Sequence, residues 1–368
     1  MTGGPAYDAL VIGAGPAGLA TSQQLQSRGI DHVVFERGSV GESWAHVYDS
    51  LTLHTGKHMS SLPGLRFPAS TPLFLSKDDF LEYLHRYRSE FELPIVTDRN
   101  VGAVTRENGL WRIATSGGEV TARALVVATG IMANPVIPQI EGISDFGGKV
   151  RHSVTYRHPE ECRGKRVLVA GAGNSAGEIA SELGRAGIET TITIRSGANV
   201  VPLQILGIPI QYWSLLVGKL PRKVQEAVIA AIRKANGPPV IPRPPYSALD
   251  AIPMIGFRLI DAIRAGQVKL RGGITRFTPG GVQFADGEEQ PFDEVILATG
   301  FRAALQFLEP LIHLDDRGFG ARRDRIISID QPALFFVGHN YDSSGSLYNI
   351  RRDASLAADA VTAALRTR

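Results

Sequence analysis

The sequence predicts an α/β fold that contains two Rossmann-like dinucleotide-binding domains, the second inserted into the first. A unit of strand, glycine-rich turn, helix and strand occurs twice, at about residues 8–36 and 165–195. Each unit is followed later in the chain by an apolar strand that ends in Ala-Thr-Gly, at 124–130 and at 294–300. The length of 368 residues also fits two domains better than one.

The first unit begins with an apolar stretch over residues 8–12, which is typical of a buried strand, and continues into the turn GAGPAG at 13–18. A helix pattern then extends to about Arg28, and a second strand follows over 31–36. The turn fits the pattern G-x-G-x-x-G. In that pattern the first glycine allows a tight turn, the second lets the backbone approach a pyrophosphate, and the third lets helix and strand pack closely. The sequence therefore predicts a pyrophosphate at the N-terminus of this helix.

An acidic residue stands where this pattern needs one. Glu36 lies at the end of the second strand, and a carboxylate at this position accepts hydrogen bonds from the ribose hydroxyl groups. It would repel a 2′-phosphate. We therefore expect this site to bind an unphosphorylated adenosine, from FAD or NAD.

The second unit repeats this order, with a strand over 165–170, the turn GAGNSA at 171–176 and a helix to Arg185. Its next strand ends in Arg195 and Ser196 rather than in an acid. An arginine at this place accommodates the 2′-phosphate of NADP; the alternative is a surface arginine at a strand end. The second unit therefore predicts an NADPH site.

The domain boundaries follow from the remaining elements. An apolar strand at 333–338 and a helix pattern at 348–365 close the chain, and a tail of this size most simply returns to the first domain. We therefore expect a discontinuous FAD-binding domain of residues 1–157 and 301–368. The NADPH-binding domain is expected at residues 158–300.

An apolar insertion is predicted within the second domain, at about 199–255. Residues 196–218 carry no charge, but Pro202 and Pro209 interrupt them and basic residues follow. Three interpretations are open: a segment that lines or covers a pocket, a weak membrane contact through 199–235, and a true membrane span. The prolines and interspersed amides favour the first.

Composition excludes several classes of function. The formal net charge is only +3, and basic residues are interspersed with acidic ones, so no nucleic-acid partner is expected. The single cysteine, Cys162, excludes an intrachain disulfide and a Cys-x-x-Cys redox pair. No cluster of cysteine and histidine has the spacing of a metal site.

The N-terminal residues lack the pattern of a signal peptide, so we expect a cytoplasmic protein. The oligomeric state cannot be read from the sequence.

Two dinucleotide sites of different preference indicate a flavoenzyme that passes hydride from NADPH to FAD. The electrons must then leave the flavin. Because the chain has no cysteine pair and no iron–sulfur ligand set, the acceptor is molecular oxygen, a quinone or a protein partner.

The segment FGGKVRHSVTY at 146–156 fits the pattern F-x-G-x-x-x-H-x-x-x-Y. It resembles the identifying sequence of flavin-containing monooxygenases, and it precedes the second glycine-rich turn as it does in them. GESW at 41–44, YDSLTLHTGK at 48–57 and ATGF at 298–301 are further similar segments. The resemblance covers nearly the whole chain and looks closest to the small bacterial and plant YUCCA-type branches.

This resemblance implies a monooxygenase that uses NADPH and O2 to form a flavin C4a-hydroperoxide on FAD. One oxygen atom would then pass to a small organic substrate, by N-, S- or Baeyer–Villiger-type oxygenation. The alternative is an NADPH-dependent flavin reductase or dehydrogenase that passes electrons to a quinone or a carrier protein.

The resemblance also singles out His54 as a candidate catalytic residue. Many flavin monooxygenases carry asparagine beside the flavin at this point, whereas YUCCA-like members share a histidine. An imidazole can donate a similar hydrogen bond, and it also titrates near neutral pH. The alternative is that His54 only packs against the flavin or a loop.

The predicted cofactor-binding residues come from the two turns, the strand ends and the similar segments. They are Gly13, Gly15, Pro16, Ala17, Gly18, Glu36, Arg37, Ser43, Trp44, His54, Val101, Thr129, Gly130, Gly171, Gly173, Asn174, Ser175, Arg195, Ser196, Thr299, Gly300, Gly338 and Leu347.

Overall fold

A computed structural model describes residues 6–235 and 237–366 of the chain. The strands of these residues are β1 (Ala6–Ile12), β2 (His32–Phe35), β3 (Thr52–Gly56), β4 (Phe74–Ser76), β5 (Ile95–Val96), β6 (Val101–Glu107), β7 (Leu110–Thr115), β8 (Gly118–Val127), β9 (Lys149–His152), β10 (Arg166–Ala170), β11 (Glu189–Thr193), β12 (Val200–Val201), β13 (Gln204–Ile205), β14 (Ile208–Pro209), β15 (Met254–Ile255), β16 (Val268–Arg271), β17 (Ile274–Thr278), β18 (Gly281–Phe284), β19 (Glu289–Pro291), β20 (Glu294–Leu297), β21 (Arg322–Arg323), β22 (Ile327–Ser328) and β23 (Leu334–Phe336). The α-helices are α1 (Pro16–Gln26), α2 (Glu42–Ala45), α3 (Lys57–Ser60), α4 (Lys77–Glu90), α5 (Asn174–Arg185), α6 (Ile210–Val217), α7 (Arg222–Ala235), α8 (Arg258–Arg264) and α9 (Ser346–Arg366).

The first sheet is built around β1. Strands β5, β2, β1, β8 and β23 run parallel in this order, so that Leu10 of β1 lies between Val33 and Leu125. Antiparallel strands extend this sheet, β7 and β6 from β8, and β22 and β21 from β23. One face packs against α1 and α9, and the other packs against residues that include Trp111 and Leu308. Both faces are covered, which explains why these strands are apolar throughout.

The second sheet repeats this arrangement around β10. Strands β16, β11, β10, β20 and β9 are all parallel, and helix α5 connects β10 to β11. Strand β9 joins this sheet beside β20 although it precedes the predicted domain boundary after residue 157. The predicted division at residues 157 and 300 otherwise stays a prediction.

The two Ala-Thr-Gly segments leave their sheets earlier than predicted. Strand β8 ends at Val127 and β20 ends at Leu297, whereas strands to residues 130 and 300 were expected. Gly130 has φ +62° and Gly300 has φ +87°, a left-handed conformation that no regular strand contains. Each segment is therefore a turn beyond the carboxyl end of its strand.

The insertion folds into short elements that the sequence pattern did not resolve. It contains the hairpin β13–β14 and the helices α6 and α7, and β12 pairs with β15. Within the described residues, no helix combines the length and the apolar character that crossing a bilayer requires.

The C-terminal helix is held to the first sheet by a buried carboxylate. Asp353 of α9 is fully buried, and its Oδ1 accepts a hydrogen bond from Nε of Arg325 at 2.8 Å. Its Oδ2 accepts one from Nδ2 of Asn340 at 2.6 Å. Arg325 precedes β22 and Asn340 follows β23, so the two hydrogen bonds connect both ends of this pair of strands to α9.

We expect Asp353→Ala to lower the free energy of unfolding by about 3 kcal/mol, because it removes a fully buried carboxylate that accepts hydrogen bonds from Arg325 and Asn340 and leaves both donors without this acceptor. Urea unfolding measures this change. Asp359→Ala is the matched control, since Asp359 lies on the same helix but pairs with Arg28 in solvent. The control should lose less than about 1 kcal/mol. Equal losses in both variants would contradict the prediction.

Candidate cofactor and substrate site

A cavity of about 1120 Å³ lies where the first glycine-rich turn, helix α5 and the insertion meet. Most of its wall is apolar. Of the predicted cofactor-binding residues, those that line it are Gly13, Gly15, Pro16, Ala17, Glu36, Arg37, Ser43, Trp44, His54, Val101, Thr129, Gly130, Asn174, Ser175, Gly338 and Leu347.

The first turn has the shape of a pyrophosphate cradle. Gly13 has φ +104°, and a Cβ atom there would lie 2.7 Å from the carbonyl oxygen of Ala128. A Cβ atom on Gly18 would lie 1.8 Å from the carbonyl oxygen of Gly13. Gly15, in contrast, has open space at its Cβ position and lines the cavity. Gly15 is also the N-cap of α1, where no side chain caps the helix, so the first N–H groups are free to meet an anion.

Glu36 is oriented by the same turn. Its Oε2 accepts a hydrogen bond from the backbone N–H of Ala14 at 2.7 Å, and its Oε1 accepts one from the N–H of Gly38 at 3.1 Å. A carboxylate oxygen has two lone pairs, so each oxygen can accept a second bond from a ribose hydroxyl. The carboxylate is therefore already fixed beside the place predicted for the ribose.

The second turn repeats the geometry of the first. Gly171 has φ +152°, and a Cβ atom there would lie 2.2 Å from the carbonyl oxygen of Ala298. Gly173 has open space at its Cβ position and precedes α5, which again has no side-chain cap. Gly171 and Gly173 do not line the cavity, whereas the next residues, Asn174 and Ser175, do. The turn thus fits a second pyrophosphate outside the cavity wall.

Asn174 makes contacts that the sequence did not predict. Its Oδ1 accepts a hydrogen bond from the backbone N–H of Ile255 at 2.7 Å, and its Nδ2 donates to the carbonyl oxygen of Pro253 at 3.4 Å. The amide therefore connects the start of α5 to the insertion.

Arg195 and Ser196 lie just beyond β11 and are exposed. The stem of Arg195 passes close to Gly273, where a Cβ atom would lie 3.1 Å from the arginine Cγ. Among residues 6–235 and 237–366, no group hydrogen-bonds or pairs with its guanidinium. The charge is available to an anion in solvent.

His54 contacts helix α5 from the other half of the molecule. Its Nε2 pairs with Oε1 of Glu178, and Glu178 also accepts a hydrogen bond from the hydroxyl of Tyr48 on its Oε2. Burial, followed by the Glu178 charge, raises the pKa of Tyr48 well above its ordinary value. Both His54 and Glu178 line the cavity. Sequence reasoning missed Glu178, although its place in the second turn of α5, just after the second glycine-rich turn, could have drawn attention to it.

The remaining predicted residues fall into two groups. Ser43 and Trp44 lie in α2, and the Trp44 ring meets Phe80 edge-on at 4.6 Å while still lining the cavity. Thr299 and Gly300 lie outside the cavity wall. Thr299 donates its hydroxyl hydrogen to the carbonyl of Val136, and the Gly300 carbonyl contacts the ring of His152.

The identifying segment at 146–156 has structural contacts. Nδ1 of His152 accepts the N–H of Val154 at 3.2 Å, its Nε2 donates to the Gly300 carbonyl at 3.1 Å, and burial lowers the pKa of this histidine. The hydroxyl of Tyr156 donates to Oε2 of Glu182 at 3.0 Å. The segment thus joins β9 to the second Ala-Thr-Gly turn and to α5.

The insertion forms an apolar wall of the cavity. The wall contains Val201, Ile205, Ile210, Trp213, Val217, Val228, Ile229, Ile232, Ile252 and Ile255. Gln211, in the first turn of α6, is a polar exception with 2% of its surface exposed. Its Oε1 is buried and accepts no hydrogen bond from the part of the chain that the structure describes. In the sequence Gln211 is one of the amides that interrupt the uncharged stretch, and it was not singled out as a site residue.

Comparison with known proteins agrees with this geometry. A family model for pyridine nucleotide-disulphide oxidoreductases matches residues 10–201. A probable indole-3-pyruvate monooxygenase of Arabidopsis thaliana, YUCCA1, is 35% identical over 311 residues, which cover 80% of this chain and 75% of that protein.

Solved structures have the same fold. A flavin-containing monooxygenase from Stenotrophomonas maltophilia superposes with a TM-score of 0.80 at 25% identity, over 98% of this chain and 99% of that chain. A cyclohexanone monooxygenase from Rhodococcus sp. Phi1, solved with NADP+, superposes with a TM-score of 0.73 at 19% identity, over 98% and 85%. The predicted fold class is confirmed.

Two glycines of the first turn are expected to have different roles, Gly15 in cofactor binding and Gly18 in packing. Gly15→Ala should leave the melting temperature of the FAD-free protein unchanged, because its Cβ atom meets no other atom, yet weaken FAD binding at least tenfold, about 1.4 kcal/mol. Gly18→Ala should destabilise the protein itself, because its Cβ atom would overlap the Gly13 carbonyl. Thermal unfolding and FAD titration measure both effects. Unchanged FAD affinity of the Gly15→Ala variant would show that this turn does not bind FAD.

Proposed function

This chain belongs to the pyridine nucleotide-disulphide oxidoreductase family and, within it, to the YUCCA-type flavin monooxygenases, and we propose that its cavity is where flavin, nicotinamide and a small organic substrate meet. The protein is an FAD-dependent monooxygenase that uses NADPH and O2. The observation that carries the proposal for the cavity is that its lining combines the first glycine-rich turn, the start of α5 and the apolar insertion.

We propose that the first turn and Glu36 hold FAD. The free N–H groups of α1 would bind the pyrophosphate, and the carboxylate of Glu36 would accept hydrogen bonds from the ribose. When bound, FAD takes up hydride from NADPH and supplies the electrons for oxygen activation. The protein contributes binding, orientation and an apolar enclosure that limits access of water.

The second turn and Arg195 would hold NADPH. Gly173 leaves room for a pyrophosphate at the start of α5, and Arg195 offers its free guanidinium to the 2′-phosphate. This assignment corresponds to a division into an FAD-binding domain of residues 1–157 and 301–368 and an NADPH-binding domain of residues 158–300. Strand β9 is an exception, since it pairs with β20.

His54 is proposed to donate a hydrogen bond to reacting oxygen. Its Nε2 is taken by Glu178, while no group of the described residues contacts its Nδ1. When the imidazole is protonated, both nitrogens donate, so Nδ1 can serve a group in the cavity. Glu178 would act on this reaction only through the orientation of the ring.

We also propose a cytoplasmic location, because the single cysteine, Cys162, is buried and free, as is usual in a reducing compartment. A weak membrane contact through 199–235 stays a prediction. Exposed apolar side chains of this stretch, among them Leu206 at 89% and Leu216 at 61%, are consistent with such a contact.

Arg195→Ala should weaken NADPH binding and leave NADH binding nearly unchanged. Loss of a charge-assisted contact costs roughly 1.5–3 kcal/mol, which is about 10- to 150-fold in affinity. Titration of the two nucleotides into the FAD-loaded enzyme measures the ratio. Arg163→Ala is the control, since Arg163 is an exposed arginine of the same domain that pairs with Glu160. Equal weakening of both nucleotides by Arg195→Ala would show that Arg195 is not at the phosphate.

His54→Leu should retain FAD but release more hydrogen peroxide per NADPH oxidised, because loss of a positioned donor at developing negative charge costs about 2.7–4 kcal/mol in oxyanion holes. His54→Asn should retain most of the coupling, since an amide still donates. Peroxide yield and oxygenated product per NADPH are measured together.

Glu178→Gln extends the same test to the orientation of the ring, and it should raise the peroxide yield less than His54→Leu does. If His54 only packs, leucine is nearly neutral and asparagine is the worse substitution. Equal coupling of wild type and His54→Leu would exclude a catalytic role. Wild type that oxygenates no member of a panel of amines, sulfides and ketones, while turning all NADPH into peroxide, would contradict the proposed use of the cavity.

A further inference from the structure

The part of the cavity wall that the insertion forms has fewer cationic side chains than the part near the proposed nucleotide-binding residues. The lining residues that the structure describes include two cationic side chains, Arg37 and Arg99. Both lie beside Glu36 at the predicted adenosine position: Arg37 follows it in sequence, and the N–H of Arg99 donates to its carbonyl oxygen at 2.8 Å. No lysine or arginine of these residues lines the insertion side.

Two carboxylates also line the cavity away from the adenosine position. Glu178 pairs with His54, and Asp342 accepts hydrogen bonds from the N–H and hydroxyl of Ser344. The imidazole of His54, which also lines this space, is already paired with Glu178, so a substrate carboxylate would leave water without an unpaired cation from the described lining and would meet like charges. Burial of an unpaired carboxylate is strongly unfavourable. The wall therefore selects against anions.

Gln211 supplies a polar group that the wall itself does not use. The side chain is almost fully buried, it lines the same cavity as the apolar residues of the insertion, and its Oε1 lacks a donor within the described chain. Buried polar groups in native proteins nearly always have a hydrogen-bond partner, so an acceptor left over in a binding cavity points to a ligand donor. A second glutamine of the same wall, Gln225, is different, since its Nε2 donates to the carbonyl oxygen of Leu220 at 2.8 Å.

From this arrangement we infer that the enzyme takes an uncharged, largely apolar substrate that carries one N–H or O–H donor, and that the Gln211 amide oxygen accepts this hydrogen. The apolar side chains, with the indole of Trp213 among them, would enclose the rest of the molecule. The inference rests on the proposed function, because it assumes that this cavity receives the substrate. It separates this enzyme from relatives named for the anion indole-3-pyruvate.

Three probes on one carbon skeleton test both parts of the inference. Indole-3-pyruvate carries a carboxylate and a ring N–H. Indol-3-ylacetone replaces the carboxylate with a methyl group and keeps the N–H. The 1-methylindole form of that ketone is neutral and has no donor. Dissociation constants are measured from the change in flavin absorbance of the oxidised, FAD-loaded enzyme, so that binding is read without turnover.

Wild type should bind indol-3-ylacetone at least tenfold more tightly than indole-3-pyruvate. Methylation of the ring nitrogen should weaken binding roughly 2- to 12-fold, the range for one neutral hydrogen bond. Gln211→Leu, which keeps the approximate volume and removes the amide, should abolish the effect of methylation and retain the preference for the ketone. Gln204→Leu is the matched control and should keep both ratios, since Gln204 is an exposed glutamine of the insertion that does not line the cavity.

Tighter or equal binding of indole-3-pyruvate would overturn the uncharged substrate class. A methylation effect of unchanged size in Gln211→Leu would overturn the role of Gln211. NADPH consumption and oxygenated product are then measured with the same probes. If binding follows the expected ratios but no probe or panel compound is oxygenated, the proposed function fails while the binding preference of the cavity stands.

Discussion

The close contact between each glycine-rich turn and an alanine carbonyl is the constraint on which both halves of this molecule depend. The first glycine of each turn lies against the alanine of an Ala-Thr-Gly segment, Gly13 against Ala128 and Gly171 against Ala298. A side chain at either glycine would push the turn away from the neighbouring strand. Because each turn starts the helix whose N-terminus is proposed to bind a pyrophosphate, this contact fixes where that N-terminus lies relative to its sheet. It also explains why the Ala-Thr-Gly sequence occurs twice and why each copy bends out of its sheet.

Much of this architecture could be predicted from local patterns. The turns, their helices and the residue after each second strand lie within one continuous unit of chain, so Glu36 and Arg195 could be proposed as cofactor contacts from spacing alone. The parallel strands could be found because they are buried on both faces and read as apolar runs. The end of β8 was predicted three residues too late, because alanine and threonine continue the apolar pattern into a turn that Gly130 dictates.

The parts that escaped prediction depend on contacts between distant segments. In the sequence Gln211 is one amide within an uncharged stretch, and only the fold shows that its buried Oε1 lines the cavity without a partner in the described chain. Glu178 looks like a surface residue of an amphipathic helix until His54 and Tyr48, more than a hundred residues earlier, are placed against it. The spacing of Val224, Val228 and Ile232 indicated the helix that α7 forms, whereas the uncharged residues of 199–218 have no period that would distinguish the hairpin from α6.

The hydrogen bonds of Asn174 connect the second glycine-rich turn to the insertion. The same amide stands at the start of α5 and holds the backbone at Pro253 and Ile255, at the edge of the apolar wall. A nucleotide bound at α5 as proposed, if it hydrogen-bonds this amide, would compete with the wall for it, and the two sites would then be coupled. Such coupling would be reciprocal. A compound that stabilises the hydrogen bonds between Asn174 and the wall would lower the affinity for the nucleotide, and the nucleotide would lower the affinity for that compound by the same factor.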